Sequence, residues 1–350
     1  MPTGEFAATH KDWLSVPIRK LGLSIAGSAL EPILADFAAE LERVGVRRVK
    51  PVFYLSTEWG VPSDTVAIAI PFYLARPELA NLHAERAGFV EGLDRADILR
   101  YLRHEMGHVI NYAYKLYERA DWQRLFGSMD AEYVEEYRPQ PFSRRFVRHL
   151  PGWYAQKHPD EDWAETFAVW MTPGLDWEAE YAAWPVALEK LRYCDRVMAE
   201  LKDREPLVTA KDLDEDVSEL AHSLDDFYGT GAATPADLPP GLDGALRTLF
   251  EDPAHPEDAV SGERKPASAL IRSLEREIMA DVYRWTGHFP ERTRSLLRHL
   301  AKRADELKLV YAESHEKRAV IGLTTVVTVL AMNHVHGRNN RPEKTPAEVG

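Results

Sequence analysis

The chain has 350 residues, 45% of them hydrophobic, a formal net charge of −13 and one cysteine. That length can bury a full core in one large or two modest domains. The acidic balance leaves no Lys- and Arg-rich surface for phosphate contacts, which argues against a nucleic-acid partner, and a single Cys194 excludes an intramolecular disulfide or a cysteine metal cluster.

Met1 to Leu21 lacks the basic start, apolar run and small-residue cleavage site of a secretory leader. The first helical spacing follows Ser28, a candidate N-cap, through Leu30, Ile33, Leu34, Phe37, Leu41 and Val44. Two β-like runs come next, Val49 to Leu55 and Thr65 to Pro71, separated by the turn chemistry of Thr57 to Asp64. Asp94 caps a long helix with apolar positions at Ile98, Leu99, Leu102, Met106, Val109 and Ile110, extending to about Tyr117. Arg138 to Pro151 reads as an irregular connection. A second long helix begins near Pro159 and stops at Thr172-Pro173-Gly174, and a third covers Pro185 to Lys202. Acidic residues and proline breaks then mark a linker over 206–241, with one short helix from Val217 to Phe227. The remainder reads as wholly helical, over Ala267 to Trp285, Glu291 to Val310 and His315 to Val335, before a polar tail over 337–350. The late apolar stretch from Ala319 to Met332 is too short and too threonine-rich to span a bilayer. These features predict a soluble, cytoplasmic protein with no membrane partner.

The long capped helix carries His104-Glu105-Met106-Gly107-His108. Histidines four apart share one helix face, one turn above the other, so both imidazoles can bind one zinc ion. The glutamate between them is placed to serve a water as general base. Catalytic zinc takes three protein ligands and keeps a fourth position open. The helix after Pro159 offers the third, because Glu161 and Glu165 lie one turn apart, with small Ala164 and Ala168 beside them to allow close helix approach. One glutamate can ligate while the other orients an imidazole. Trp163, Phe167 and Trp170, at helical spacing, read as core. The C-terminal histidines His288, His299, His315, His334 and His336 show no shared ligand spacing.

This motif, followed by a distant acidic helix, resembles the gluzincin zinc metallopeptidases. Within them it is most similar to the lethal-factor-like branch, which includes the Pro-Pro endopeptidases and the Mlc titration factor peptidase. The whole chain also resembles bacterial proteins known as zinc-binding metallopeptidases. The resemblance implies that Glu161, in Glu161-Asp162-Trp163-Ala164, is the third ligand, that Glu165 orients a ligand histidine, and that Tyr154, seven residues before Glu161, is the catalytic tyrosine. Tyr112, Tyr114, Tyr117, Tyr133 and Tyr137 are alternatives for that last role. The Phe-Phe pair of that branch is Asp162-Trp163 here, and a long irregular insert precedes it.

The reading is therefore a mostly helical α+β protein. A zincin-like catalytic domain over 1–205, with a small sheet and an active-site helix, precedes the linker and a helical domain over 242–336. Such a protein binds one zinc ion and hydrolyses a peptide or protein substrate held extended along an edge strand, with Glu105 as base. The competing reading is a non-catalytic interaction protein whose zinc only organises the fold and whose helical C-terminal half binds a partner. An intact Glu105 favours catalysis, since a structural site has no use for a general base.

Overall fold

The computed structural model describes residues 13–134, 137–229, 242–252 and 264–337. The chain is mostly helical with two small sheets, and it divides into two compact units, 1–232 and 233–350.

In the first unit, helix α1 (Leu30–Val44) is amphipathic, and Ser28 Oγ accepts the Leu30 N–H at its start. Strands β1 (Val52–Ser56) and β2 (Ala67–Pro71) form a parallel pair, with Val52 opposite Ala67 and Leu55 opposite Ile70. Helix α2 (Pro77–Ala87), not visible as a distinct run in the sequence, starts on a proline and ends at left-handed Gly88. Helix α3 (Arg95–Tyr114) begins where Asp94 accepts the Asp97 N–H and is capped by Lys115, so its last residue falls three short of the Tyr117 its pattern promised. Short α4 (Ala120–Phe126) leads into the insert; α5 (Pro159–Met171) and α6 (Pro185–Leu201) follow.

The core joins Phe37 of α1, Ile68 and Ile70 of β2, Leu102 and Met106 of α3, Trp122, and Trp163 and Phe167 of α5. Trp163 and Phe167 are fully buried, so they belong to this core. Arg103 ties α3 to α1 through a bidentate pair with Glu40, 2.8 Å for each bond.

Two expectations change here, the first that the substrate-binding edge strand is the run from Thr65 to Ile70. Strand β2 is buried along its whole length, and Ala69 N–H already donates to Gly60 O at 2.8 Å. The turn after β1 folds back over this edge, so β2 does not offer the continuous free edge that an extended substrate requires. Nor is the stretch from 206 a free linker through its first half. Leu207 and Val208 N–H groups donate to Ala113 O, Ala210 O accepts Val66 N–H, and Val217 N–H donates to Leu55 O. Leu220 and Leu224 enter the core, and only Leu224–Gly229, helix α7, is helical. Acidic composition marks this stretch as solvent-facing, but Val217, Leu220 and Leu224 seat it on the unit. The rest of that expected linker, 230–241, lies outside the described residues, as does the tail from 338.

The second unit is built from α8 (Leu242–Leu249), α9 (Ala267–Ser273), α10 (Glu275–Thr286), α11 (Pro290–Glu306) and α12 (Glu316–Gly337). Leu246, Ile271, Met279, Val282, Leu297, Leu300 and Leu323 fill its core. It is not wholly helical. Arg264–Pro266 and Val310–Ala312, strands β3 and β4, pair antiparallel. The continuous helix expected over 267–285 breaks at Leu274.

Candidate metal centre and active site

Helices α3 and α5 cross where each is smallest. A Cβ on Gly107 would lie 2.6 Å from the Ala164 Cα, so position 107 tolerates no side chain while α5 sits this close. Trp163 Nε1 clasps the crossing by donating to Gly107 O at 2.8 Å. The ligand face of α3 thus meets the first turns of α5.

At that meeting His104, His108 and Glu161 converge. They are 2%, 8% and 4% exposed, which places three ionisable groups in the interior without solvent to screen them. His104 Nε2 lies 3.0 Å from Glu161 Oε2 and 3.2 Å from His108 Nε2, and His108 Nε2 lies 3.2 Å from the same Oε2. Ligands about 2.0–2.1 Å from a tetrahedral zinc stand about 3.3 Å apart, close to this triangle.

The outer nitrogens of both rings decide what the triangle holds. His104 Nδ1 is 2.9 Å from Glu165 Oε1, and His108 Nδ1 is 2.9 Å from Asp160 Oδ2. An ionised carboxylate only accepts, so both Nδ1 atoms carry the proton. In the neutral rings both Nε2 atoms are then bare lone pairs facing each other and a carboxylate oxygen. Three acceptors at hydrogen-bond distance repel unless a proton or a metal cation lies among them.

Titration follows the same logic. Burial alone would lower the His104 pKa, but hydrogen bonds to Glu161 and Glu165 push it up to about 9. His108 is raised well above its usual value against the same burial penalty, through the charges of Asp160 and Glu161. Burial would raise Glu161, yet the two imidazoles hold it well below the usual carboxylate range. A field that binds protons this tightly favours a divalent cation for the same reason.

Each ligand is held from behind. Glu165, fully buried, also accepts the N–H groups of His149 and Leu150 at 3.0–3.1 Å, so the insert fixes the carboxylate that fixes His104. Asp160 accepts from Asn111 Nδ2 and the Tyr112 hydroxyl, both at 2.6 Å. Asp162 pairs with Lys190 at 2.5 Å inside the protein, and Lys190 also donates to Arg145 O at 3.1 Å. Asp160 and Asp162, acids in the first turn of α5 where the helix dipole favours them, thus have side-chain partners as well. The one signal that could have singled out Asp160 is Asn111, one turn beyond His108 on the same face.

Glu105 is 4% exposed, and burial raises its pKa against the pull of His104 and His108. The Tyr154 ring stands edge-on to His104, centroids 5.5 Å apart. It follows a tight turn in which Gly152 and Trp153 both have positive φ, 80° and 63°. Arg148, 4.1 Å from the Trp153 ring centroid, and Phe142, edge-on to that ring at 5.0 Å, brace this strained turn. Of the alternative tyrosines, Tyr133 donates to Glu161 Oε1 at 2.7 Å, Tyr112 is taken by Asp160, Tyr137 donates to Gly152 O, Tyr114 to Arg204 O and Tyr117 to Asp64.

Residues 81–225 match the family described as "Putative zinc-binding metallo-peptidase". The matched segment contains α3, the insert and α5, and so every residue of the centre. The family is zinc-binding, and His104, His108 and Glu161 form a buried group able to hold one metal ion. Neither a curated relative nor a solved structure matches the chain. Among the described residues no helix is long and apolar enough to cross a membrane.

Proposed function

We propose that the first unit is a zincin-like, gluzincin-type peptidase of the cytoplasm that hydrolyses peptide bonds. The observation that carries this is the converging triangle of His104 Nε2, His108 Nε2 and Glu161 Oε2, with Glu105 buried next to His104 in the chain. His104, His108 and Glu161 hold the zinc ion, and Asp160 and Glu165 orient the two rings. When bound, zinc lowers the pKa of a water from about 15.7 toward about 7 and polarises a carbonyl.

Glu105 accepts the proton of the attacking water and returns it to the leaving amine. A carboxylate whose proton affinity is raised by burial suits both transfers. Tyr154, held beside His104 by the Gly152-Trp153 turn, is the residue we assign to the developing oxyanion. The lone Cys194 is buried and free, which suits a reducing compartment.

The test is a proteome-derived peptide library incubated with the parent chain and two variants. Glu105→Gln keeps its zinc and its fold and loses about 10²–10⁴-fold in rate, since an amide cannot take a proton. Tyr154→Phe keeps its zinc and loses about 10²–10³-fold. Zinc-loaded parent protein that cleaves nothing, or Glu105→Gln cleaving at the parent rate, defeats the peptidase reading and returns the competing one, a zinc-stabilised interaction protein.

A further inference from the structure

The insert between the two ligand helices is fastened at the ligand end of α5. The backbone at Gly127 packs on Pro159, where a Cβ would lie 3.1 Å from the proline Cγ. His158, the N-cap of α5, accepts the Asp160 N–H on Nδ1 and donates from Nε2 to Ala131 O at 3.0 Å. Two residues later Tyr133 reaches the centre itself, its hydroxyl donating to Glu161 Oε1 at 2.7 Å. Its ring lies 5.3 Å from the His158 ring, and the Lys157 ammonium sits 4.4 Å from its centroid.

The two oxygens of Glu161 are thereby given different work. Oε2 faces both imidazoles, while Oε1 is engaged by the phenol. A carboxylate with one oxygen held by a strong donor has one oxygen left to give a metal. A carboxylate free of such a donor can supply both, and the second adds a bond that raises the coordination number above four and crowds the position that a substrate or water needs.

We propose that Tyr133 is a positioning residue that keeps Glu161 a one-oxygen ligand and so limits the zinc to four bonds, the fourth left for water or substrate. This rests on the reading of Glu161 as the third ligand. It gives the insert a task beyond bracing Glu165: its first half sets how Glu161 binds, and its second half, through the His149 and Leu150 N–H groups, sets how His104 is oriented.

The experiment replaces zinc by cobalt(II) in the full-length chain and records the visible absorption spectrum. Four-coordinate cobalt absorbs several-fold more strongly than cobalt of higher coordination number. Parent protein gives the intense four-coordinate bands. Tyr133→Phe keeps the ring between Lys157 and His158 and removes only the hydroxyl, so the fold is retained and circular dichroism verifies it. Its bands weaken several-fold, and zinc, titrated against a competing chelator, binds about 10-fold less tightly. An unchanged cobalt spectrum in Tyr133→Phe overturns the proposal, whatever the affinity does, because loss of a merely structural contact would not alter coordination number. Glu161→Ala runs alongside. If it retains the parent spectrum, the ligand assignment itself fails; if it loses those bands while Tyr133→Phe keeps them, only the role of Tyr133 fails.

Discussion

The two units bury different things. In the first, His104, Glu105, His108, Asp160, Glu161, Asp162, Glu165 and Lys190 all lie in the interior. In the second, the buried polar residues among those described are Ser268, Thr286, His288 and Thr293, and most of their bonds are local: Thr286 to Val282 O, and His288 to Thr293 at 2.8 Å. A charge taken out of water is tolerated only when paired, and breaking such a pair costs about 3–5 kcal/mol. The first unit therefore holds a chemical centre at the expense of stability, with carboxylates and imidazoles that need one another and a cation. The second unit is built on an apolar helical core, and ion pairs such as Arg303 with Asp243 lie at the surface rather than inside it.

That contrast makes the largest expected effect a selective one. Removing metal from the full-length chain with a chelator should lower the stability of the first unit by about 4 kcal/mol, if zinc is normally present at about a thousand times its dissociation constant. The second unit should not respond. Calorimetry shows this as one transition moving and one staying, and two transitions moving together would break the distinction. The converse is Leu297→Ala, a fully buried side chain of the second core. It should cost that unit about 2–5 kcal/mol while leaving one zinc per chain by elemental analysis.

A smaller effect separates the two carboxylates behind the ligands. Asp160→Asn and Glu165→Gln should each weaken zinc by about 10–100-fold and leave the stoichiometry at one, measured by competition with a chromophoric chelator. An affinity equal to that of the parent in both would mean the imidazoles need no orienting partner. The smallest effect concerns pH. Burial holds the His149 pKa down at about 4, with Glu165 opposing, and its Nε2 donates to Arg100 O at 2.9 Å. A base whose folded pKa is depressed leaves stability untouched above about 6.5; as pH falls through that value the unfolded chain takes up a proton that the folded chain refuses. Stability is lost down to about pH 4 and the loss then levels off. The ring is only partly covered, so solvent tempers the loss to about 1–2 kcal/mol. Denaturant titrations of His149→Gln should show a flatter profile over that window, and identical profiles would remove His149 from the account.

What was legible in the sequence was whatever obeys a period. His104 and His108 are one turn apart on a helix whose start Asp94 announces, and the bounds of α5 are written in Pro159 and in Thr172-Pro173-Gly174. Glu161 and Glu165 are visible as a pair for the same reason. Asp160 was hidden because an acid in a first helical turn is already accounted for by the helix dipole. Tyr133 was visible only as one tyrosine among several, because the insert has no repeat and only folding brings it to a carboxylate 28 residues away. Strands β3 and β4 span three residues each, too short for any alternation to show. The parallel register of β1 and β2 depends on how the turn after β1 folds back, which no local pattern encodes.

The contact between Gly107 and Ala164 is, in effect, a gauge. Backbone touching backbone is stiffer than any side-chain arrangement, so it fixes how far the imidazoles of α3 stand from the carboxylate of α5. A gap of 3.0–3.2 Å between ligand atoms suits a small ion with tetrahedral bonds. Calcium, with oxygen ligands at about 2.3–2.6 Å and six to eight of them, would require the helices to part. The choice of ion is thus made largely by an atom that never touches it, the missing Cβ of a glycine.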